Sequence, residues 1–361
     1  MNSAEYRNQA IIHAVLEREK ALCPGCVALI GIYGSFLTGD TQPLSDLDLL
    51  ILINDERGRQ LGTAFILDDI GVGYDVYCTS WESLVRDAAY EHPHISKLMD
   101  SRIVYCSDEM SRARLEALRA QVQKKLAEPF GEEDWLKADR EMKEAMCCYA
   151  KAMIAGDIAD IRKEAGGVLY YAQNAVAMLN KTYFRKGVRR RFEELNSMEK
   201  RPAQFCERME SVLEASTAEG VREQLTSLMK ALTDCFIKAK QSVRTEKKPA
   251  CAESLRDTYE EMFSNWHGKM TLAAQTDDRH LAFMSLVSLN AMMEEIGGES
   301  AICPYDILSV YDPDDLAKTA KGFDEVLQDY LQEYRKSGLS IKRFRDVDAF
   351  VSDYLKSVGQ N

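Results

Sequence analysis

Residues 27–53 read VALIGIYGSFLTGDTQPLSDLDLLILI, the most informative pattern in the chain. An apolar run of strand length stands at each end, with polar residues between the two runs. Gly34 and Ser35 follow the first run, and Asp46 and Asp48 open the second. The pattern predicts two buried strands whose polar ends meet at one edge of a sheet.

The two aspartates are separated by one residue. Side chains alternate along a strand, so Asp46 and Asp48 project from the same face with Cα atoms roughly 6.5 Å apart. Two carboxylates this close repel each other unless a cation lies between them. Their oxygens are hard ligands and no His or Cys stands beside them, which favours Mg²⁺ or Mn²⁺ over zinc. Magnesium in turn indicates a substrate that carries phosphates.

The glycine–serine pair lies where the first strand is expected to give way to a short helical turn. A glycine followed by a small hydroxyl residue lets backbone N–H groups approach an anion closely. Gly34 and Ser35 are therefore predicted to bind phosphates beside the metal. The alternative interpretation of the whole stretch is an ordinary strand–turn–strand with two solvated aspartates.

The spacing of Gly-Ser, ten residues and Asp-x-Asp within an apolar strand resembles the polymerase-β-like nucleotidyltransferase superfamily. The longer string GSFLTGDTQPLSDLDLLIL resembles the antibiotic-modifying, kanamycin-type adenylyltransferases of that superfamily. In this family the paired aspartates hold two Mg²⁺ ions, and a carboxylate on a later strand completes the set. The resemblance implies Asp75, in a strand-like segment over 72–77, as the third ligand beside Asp46 and Asp48. It also implies ATP as the substrate that supplies AMP.

Composition narrows the class of protein. The chain has 361 residues, enough for two or three domains, and its 46% hydrophobic and 29% charged residues are typical of a soluble globular protein. No run approaches the roughly 18 to 20 apolar residues of a membrane span, and the N-terminus lacks a signal-peptide pattern, so a cytoplasmic location is expected. A net charge of −12 argues against a nucleic-acid partner and suits a cationic small substrate.

The period of the apolar residues changes along the chain. Strand-like segments alternate with helices as far as residue 108, and from Ser111 the pattern is helical almost throughout. We therefore predict an α+β fold, with a nucleotidyltransferase core over 1–108 in which helices flank a small mixed sheet. An all-α helical bundle that binds the acceptor is predicted over 109–248, and a helical extension over 249–361. This extension carries no catalytic motif and is expected either to cover the acceptor pocket or to form an interface.

The segment Ala145–Leu195 resembles the helical domain of the kanamycin-type enzymes. In that family a glutamate on the first of these helices is the general base that acts on the acceptor hydroxyl. Glu144 and Glu141 are the nearest candidates, and Cys148 aligns with the base position as well as Glu144 does. The alternative interpretation of Glu144 is a solvated helix residue.

Five cations lie within residues 185–191, and Lys186 and Arg189 are among them. One interpretation is that these side chains reach the triphosphate or the leaving pyrophosphate, where positive charge helps catalysis most. The other is that they begin a solvated helix and pair with Glu193 and Glu194.

The sequence hypothesis is a metal-dependent enzyme that moves AMP from ATP onto a hydroxyl of a small molecule, such as an aminoglycoside-type antibiotic, and releases pyrophosphate. Either Asp75 or a helical-domain glutamate would be the general base. Two alternatives stay open: a regulatory module that adenylylates a protein or pairs with a toxin partner, and a catalytically silent nucleotide-binding scaffold. A homodimer also stays open, because members of the family sometimes build the acceptor pocket across a dimer interface.

Overall fold

The computed structural model describes residues 3–39, 41–42, 44–243, 249–300, 302 and 305–356. The chain divides into two compact units, Met1–Arg244 and Thr245–Asn361. In the first unit a small mixed sheet near the N-terminus is followed by helices, which confirms the predicted α+β fold class. No helix within the described ranges has both the length and the apolar character needed to span a lipid bilayer.

The described part of the first unit contains both strands and helices. Its strands are β1 (Val27–Ile32), β2 (Leu49–Ile53), β3 (Thr63–Leu67), β4 (Val72–Val76), β5 (Cys78–Ser80) and β6 (Arg102–Cys106). Its α-helices are α1 (Ser3–Leu22), α2 (Ser35–Thr38), α3 (Trp81–Ala88), α4 (Ser96–Met99), α5 (Glu109–Ala127), α6 (Glu132–Ile154), α7 (Ile158–Leu179), α8 (Arg191–Ser197), α9 (Phe205–Glu214) and α10 (Ala218–Ser242). Short 3₁₀ turns occur at Glu56–Leu61 and Val188–Arg190.

Four strands form the main sheet in the order β5-β2-β1-β6. β2 and β5 are parallel, and the other neighbours are antiparallel. Ile32 at the end of β1 is opposite Leu49 at the start of β2. The ladder continues for one more hydrogen bond, in which the Tyr33 N–H donates to the Asp48 carbonyl oxygen at 3.1 Å. β3 and β4 form a separate antiparallel hairpin. The register therefore brings the residues after β1 next to the residues before β2.

The central strands are buried on both faces. Every residue of β1 and β2 is buried. One face shares a core with the helices that follow in the chain, and the opposite face packs with α1 and the β3–β4 hairpin. Strands covered on both sides read as continuous apolar runs, which explains why their sequences do not alternate.

The bundle packs α6 and α7 closely against each other. A Cβ atom at Gly167 of α7 would lie 2.6 Å from the Cys148 sulfur of α6, so this glycine allows the approach of the two helices. Ala138, Met142, Ala172 and Val176 are buried at the centre of the same cluster. The apolar faces of successive helices thus form one core with the sheet.

The second unit is helical over its described residues. It contains α11 (Ala252–Leu255), α12 (Thr258–Met262), a π-helical turn (Phe263–His267), α13 (Gly268–Thr276), α14 (Arg279–Glu299), a 3₁₀ turn (Leu308–Val310), α15 (Leu316–Lys336) and α16 (Val347–Lys356). Tyr259, Leu286, Phe323 and Tyr330 lie in its separate core.

Two adjacent glycines of α7 test the packing of the bundle. At Gly166 a Cβ atom would meet nothing within 4 Å, so Gly166→Ala should raise the free energy of unfolding by roughly 0.5–1 kcal/mol through helix propensity. Gly167→Ala should lower it by roughly 1–3 kcal/mol, because its methyl group overlaps the Cys148 sulfur. Chemical denaturation of both variants makes the comparison, and adding Cys148→Ala should recover most of the loss. Equal stability of the two alanine variants would contradict the close packing.

Candidate active site

Gly34 makes the closest contact at the edge where β1 and β2 meet. Its φ is +71°, a conformation that favours glycine. A Cβ atom there would lie 1.9 Å from Asp48 Oδ2 and 2.7 Å from Asp48 Cγ. The backbone of Gly34 therefore lies directly against this carboxylate, and no side chain fits between them.

Ser35 begins α2, and its backbone N–H lies near enough to the Asp48 carboxylate to favour the ionised form. The carbonyl oxygen of Gly34 accepts the N–H groups of Leu37 and Thr38, at 3.0 and 3.2 Å, which closes the short helical turn. The predicted turn is thus present, and the binding of phosphates by Gly34 and Ser35 stays a prediction.

Asp46 and Asp48 are both half-buried and lie close enough to interact. Burial and then the negative charge of Asp46 raise the pKa of Asp48 to about 6, while the Ser35 N–H opposes this shift. Among the described residues neither carboxylate forms an ion pair with a Lys, Arg or His side chain. The part of the chain that the structure describes thus supplies no cationic side chain paired with this negative charge.

Asp75 lies on β4, opposite Ala64 of β3. Val72, Tyr74 and Val76 face the core, so Asp75 on the other side of the strand is exposed. Within the described ranges, no group of three or more His, Cys, Asp or Glu side chains is close enough to hold a metal ion. The structure brings Asp46 and Asp48 together without Asp75, because β4 pairs with β3 and not with the main sheet.

Two tyrosines that were not singled out from the sequence lie beside the aspartates. The Tyr33 and Tyr77 hydroxyls are hydrogen-bonded at 2.7 Å. Burial, this hydrogen bond and the nearby negative charges, those of Asp48 and Asp46 among them, raise the pKa of Tyr33, so its hydroxyl is neutral at physiological pH. The sequence signals that could have found them are their positions, directly before Gly34 and two residues after Asp75.

On α6 the structure builds a polar network around Glu141, whereas Glu144 is exposed. Asn174 of α7 donates its Nδ2 to the Glu141 carboxylate at 3.0 Å, and its Oδ1 is 2.8 Å from His94 Nε2. Burial raises the pKa of Glu141 and lowers that of His94. Sequence reasoning missed Asn174, although an asparagine directly before the apolar run that ends α7 is a usable signal.

The cationic segment pairs with the glutamates that follow it. Lys186 Nζ lies 2.9 Å from Glu193 Oε2, and the backbone N–H groups of Arg185 and Lys186 donate to Glu194. Arg189 is exposed. Lys186 also lines a cavity of about 500 Å³, to which neither Asp46 nor Asp48 contributes.

The small mixed sheet, the glycine–serine turn against a carboxylate and the helical region after them define a nucleotidyltransferase-type enzyme. The family model described as a nucleotidyltransferase domain matches residues 11–105, and that of the KNTase C-terminal domain matches residues 112–242. Together the two matches cover more than half of the chain. The chain therefore belongs to the nucleotidyltransferases that carry a KNTase C-terminal domain.

The structure is also similar to the crystal structure of a nucleotidyltransferase-like protein from Exiguobacterium sibiricum 255-15. The match covers 72% of this chain and 89% of the other, with 11% sequence identity and a TM-score of 0.31. No curated protein matches this chain.

Two glycines at the ends of α2 test the contact with Asp48. Both have positive φ, but a Cβ at Gly39 would meet nothing within 4 Å. Gly39→Ala should cost roughly 1–2 kcal/mol of stability through backbone strain and keep most of the activity. Gly34→Ala should also displace Asp48 and lower pyrophosphate release by roughly 100-fold or more. If both variants keep the same activity, the close approach of Gly34 has no catalytic importance.

The raised pKa of Asp48 predicts how stability depends on pH without metal. The folded state binds its proton more tightly than the unfolded state does, so this group lowers stability as pH rises from about 4 through about 6. Asp48→Asn should therefore have a higher Tm than the wild type at pH 8 and an equal Tm at pH 4. Asp69→Asn, at an exposed position of the hairpin, is the control. A lower Tm for Asp48→Asn at pH 8 would contradict the charge repulsion.

Proposed function

We propose that the protein is a metal-dependent nucleotidyltransferase that moves AMP from ATP onto a hydroxyl of a small molecule and releases pyrophosphate. The observation that carries the proposal is the Asp46–Asp48 pair, which lies against the Gly34–Ser35 turn and has no ion pair with a cationic side chain of the described residues. This arrangement gives a divalent cation and a polyphosphate adjacent binding positions at one sheet edge. The family supports the reaction class.

The residues at this edge fit a hard divalent cation. Both carboxylates offer oxygen ligands, and their mutual repulsion, expressed in the raised pKa of Asp48, would be relieved by a bound cation. We propose Asp46 and Asp48 as ligands of the predicted Mg²⁺ ions, with Mn²⁺ as a substitute. Among the described residues Asp75 does not group with them, so its predicted role as the third ligand would require the β3–β4 hairpin to move. When bound, these ions would neutralise the triphosphate and lower the pKa of the acceptor hydroxyl.

The other residues of the site would orient the substrate and accept its proton. Backbone groups of Gly34 and Ser35 would hold the β- and γ-phosphates, with the Ser35 N–H leaving Asp48 as they bind. Asp75 and Glu144 are both exposed, so either carboxylate could accept the proton of an acceptor hydroxyl, and both are proposed as candidates for the general base.

Lys186 and Arg189 are proposed only as secondary phosphate contacts. Lys186 is already paired with Glu193, so it would have to break that ion pair to reach a phosphate. The proposed reaction therefore does not depend on either side chain.

The acceptor is proposed to be a small molecule of the aminoglycoside type. The net charge of −12 would raise the local concentration of a polycationic acceptor. A second candidate is transfer to, or pairing with, a protein partner. It is favoured by α16, whose apolar residues Val347, Phe350, Val351 and Tyr354 are exposed on one helix face.

Replacing the paired aspartates tests the reaction. Asp46→Asn and Asp48→Asn should each lower the rate of pyrophosphate release by roughly 10³-fold or more, because the metal clamp is worth several kcal/mol of the barrier. The measurement uses ATP, Mg²⁺ and a panel of aminoglycosides and lincosamides. Asp69→Asn should keep the wild-type rate.

The outcomes separate the candidates. Full activity of either aspartate variant would refute the metal mechanism. If no small molecule of the panel supports pyrophosphate release and label from ATP is transferred to a protein, the acceptor is a protein and not a small molecule.

A further inference from the structure

A cavity of about 560 Å³ is lined by one face of α1 and by the adjoining part of the main sheet. Asn8, Ile12 and Leu16 line it from α1, at the spacing of four residues that places side chains on the same face of a helix. Ile32 of β1 and Val104 of β6 line it from the sheet. The volume is within the range of small-molecule sites, so the cavity has room for a ligand.

The walls of this cavity are mainly apolar. Ile32 pairs with Arg102 across β1 and β6, and Val104 follows two residues later. Both β6 side chains therefore project from the face of the sheet that carries Ile32. Phe36 of α2 adds an aromatic ring to the lining. Aliphatic walls with one aromatic ring favour a ligand with a flat, apolar body.

Asn8 places a polar group among these apolar walls. The residue is only 7% exposed, and its side chain forms no hydrogen bond with the described residues. Buried amides normally have hydrogen-bond partners, because an unpaired amide has lost water without a replacement. Asn174, which is 2% exposed, follows this rule and uses both its amide nitrogen and its oxygen. Asn8 therefore keeps a donor and an acceptor, side by side, for a molecule in the cavity.

The charges at the cavity balance each other. Among the described residues that line it, Glu5 and Arg102 carry the charged side chains, and both are exposed. This balance gives no electrostatic preference for a polycationic acceptor. It suits a neutral ligand that is recognised by its shape and its hydrogen-bonding edge.

We propose that this cavity binds a nucleobase of the adenine type. The faces of a purine are flat and apolar, and they match the aliphatic walls and the Phe36 ring. The edge of adenine carries an amino donor beside a ring-nitrogen acceptor, and an asparagine carboxamide pairs with both at once. Asn8 would be the residue that selects such an edge. The inference rests on the cavity itself and does not require the proposed transfer of AMP.

Adenine and indole are matched probes for this site. Both are flat molecules with two fused rings, but indole has no acceptor beside its N–H. Binding of each probe to the full chain is titrated by ligand-observed NMR, without metal or ATP. Asn8→Leu keeps the size of the side chain and removes the amide, so it should weaken adenine binding by roughly tenfold. Indole binding should not change.

Gln9→Leu is the matched control. Gln9 also lines the cavity but is exposed, so water already hydrates its amide. This variant should change the affinity for adenine much less than Asn8→Leu does. Thermal unfolding shows whether each variant is folded.

A second variant tests the cavity without altering Asn8. Val104 is 43% exposed on β6, an edge strand among the described strands, so Val104→Trp should be compatible with the fold. Its larger side chain would fill the cavity and should abolish the binding of both probes. If Asn8→Leu does not fold, this variant still gives the test, and unchanged binding of adenine to it would overturn the proposal.

Competition with ATP shows where the base comes from. If the base belongs to the substrate ATP, a non-hydrolysable ATP analogue should displace adenine, and the KM for ATP should rise in Asn8→Leu. If the base belongs to a separate purine, adenine should bind equally well when the analogue is saturating. Either result supports a nucleobase site.

The remaining outcomes overturn the nucleobase site and leave the proposed function intact. They are a wild type that does not bind adenine, a folded Asn8→Leu variant that binds adenine as tightly as the wild type, and a variant that loses adenine and indole equally. A wild type that binds adenine but releases no pyrophosphate would count against the proposed function alone.

Discussion

The contact between the backbone of Gly34 and the carboxylate of Asp48 constrains the rest of the first unit. It requires a positive φ at Gly34 and places Asp48 in a half-buried position where Asp46 repels it. Neither feature stabilises the fold. Both are held in place because β1 and β2 are buried on both faces and their register fixes the ends of the two strands. The apolar core therefore supports an edge that is locally unfavourable and suited to a cation.

The parts of this edge that the sequence predicts are those encoded by local pattern. Continuous apolar runs indicated β1 and β2, because both faces of each strand are buried and apolar residues therefore do not alternate with polar ones. The two-residue spacing of Asp46 and Asp48 predicted their proximity, although both precede β2, which begins at Leu49 and not at the aspartates as the pattern predicted. Gly34 was recognisable because a glycine before a small hydroxyl residue marks a turn with special backbone angles.

The parts that the sequence does not predict depend on which distant segments pair. The alternation in β4 shows that Asp75 is on the outer face, but nothing local states that β4 pairs with β3 instead of the main sheet. The Tyr33–Tyr77 bond and the network of His94 with Asn174 join residues 44 and 80 positions apart. Such contacts follow from tertiary packing, which a single sequence leaves open.

In the proposed reaction, the distribution of charge around the site means that a metal would supply most of the positive charge for a triphosphate. Lys186 and Arg190 both pair with Glu193, so one negative charge offsets part of the two positive charges there. At the sheet edge the described residues place two carboxylates and no paired lysine or arginine. A bare triphosphate would be repelled there, whereas a divalent cation is attracted and then attracts the phosphates. Binding of nucleotide at this edge should therefore follow, and not precede, neutralisation of the aspartates.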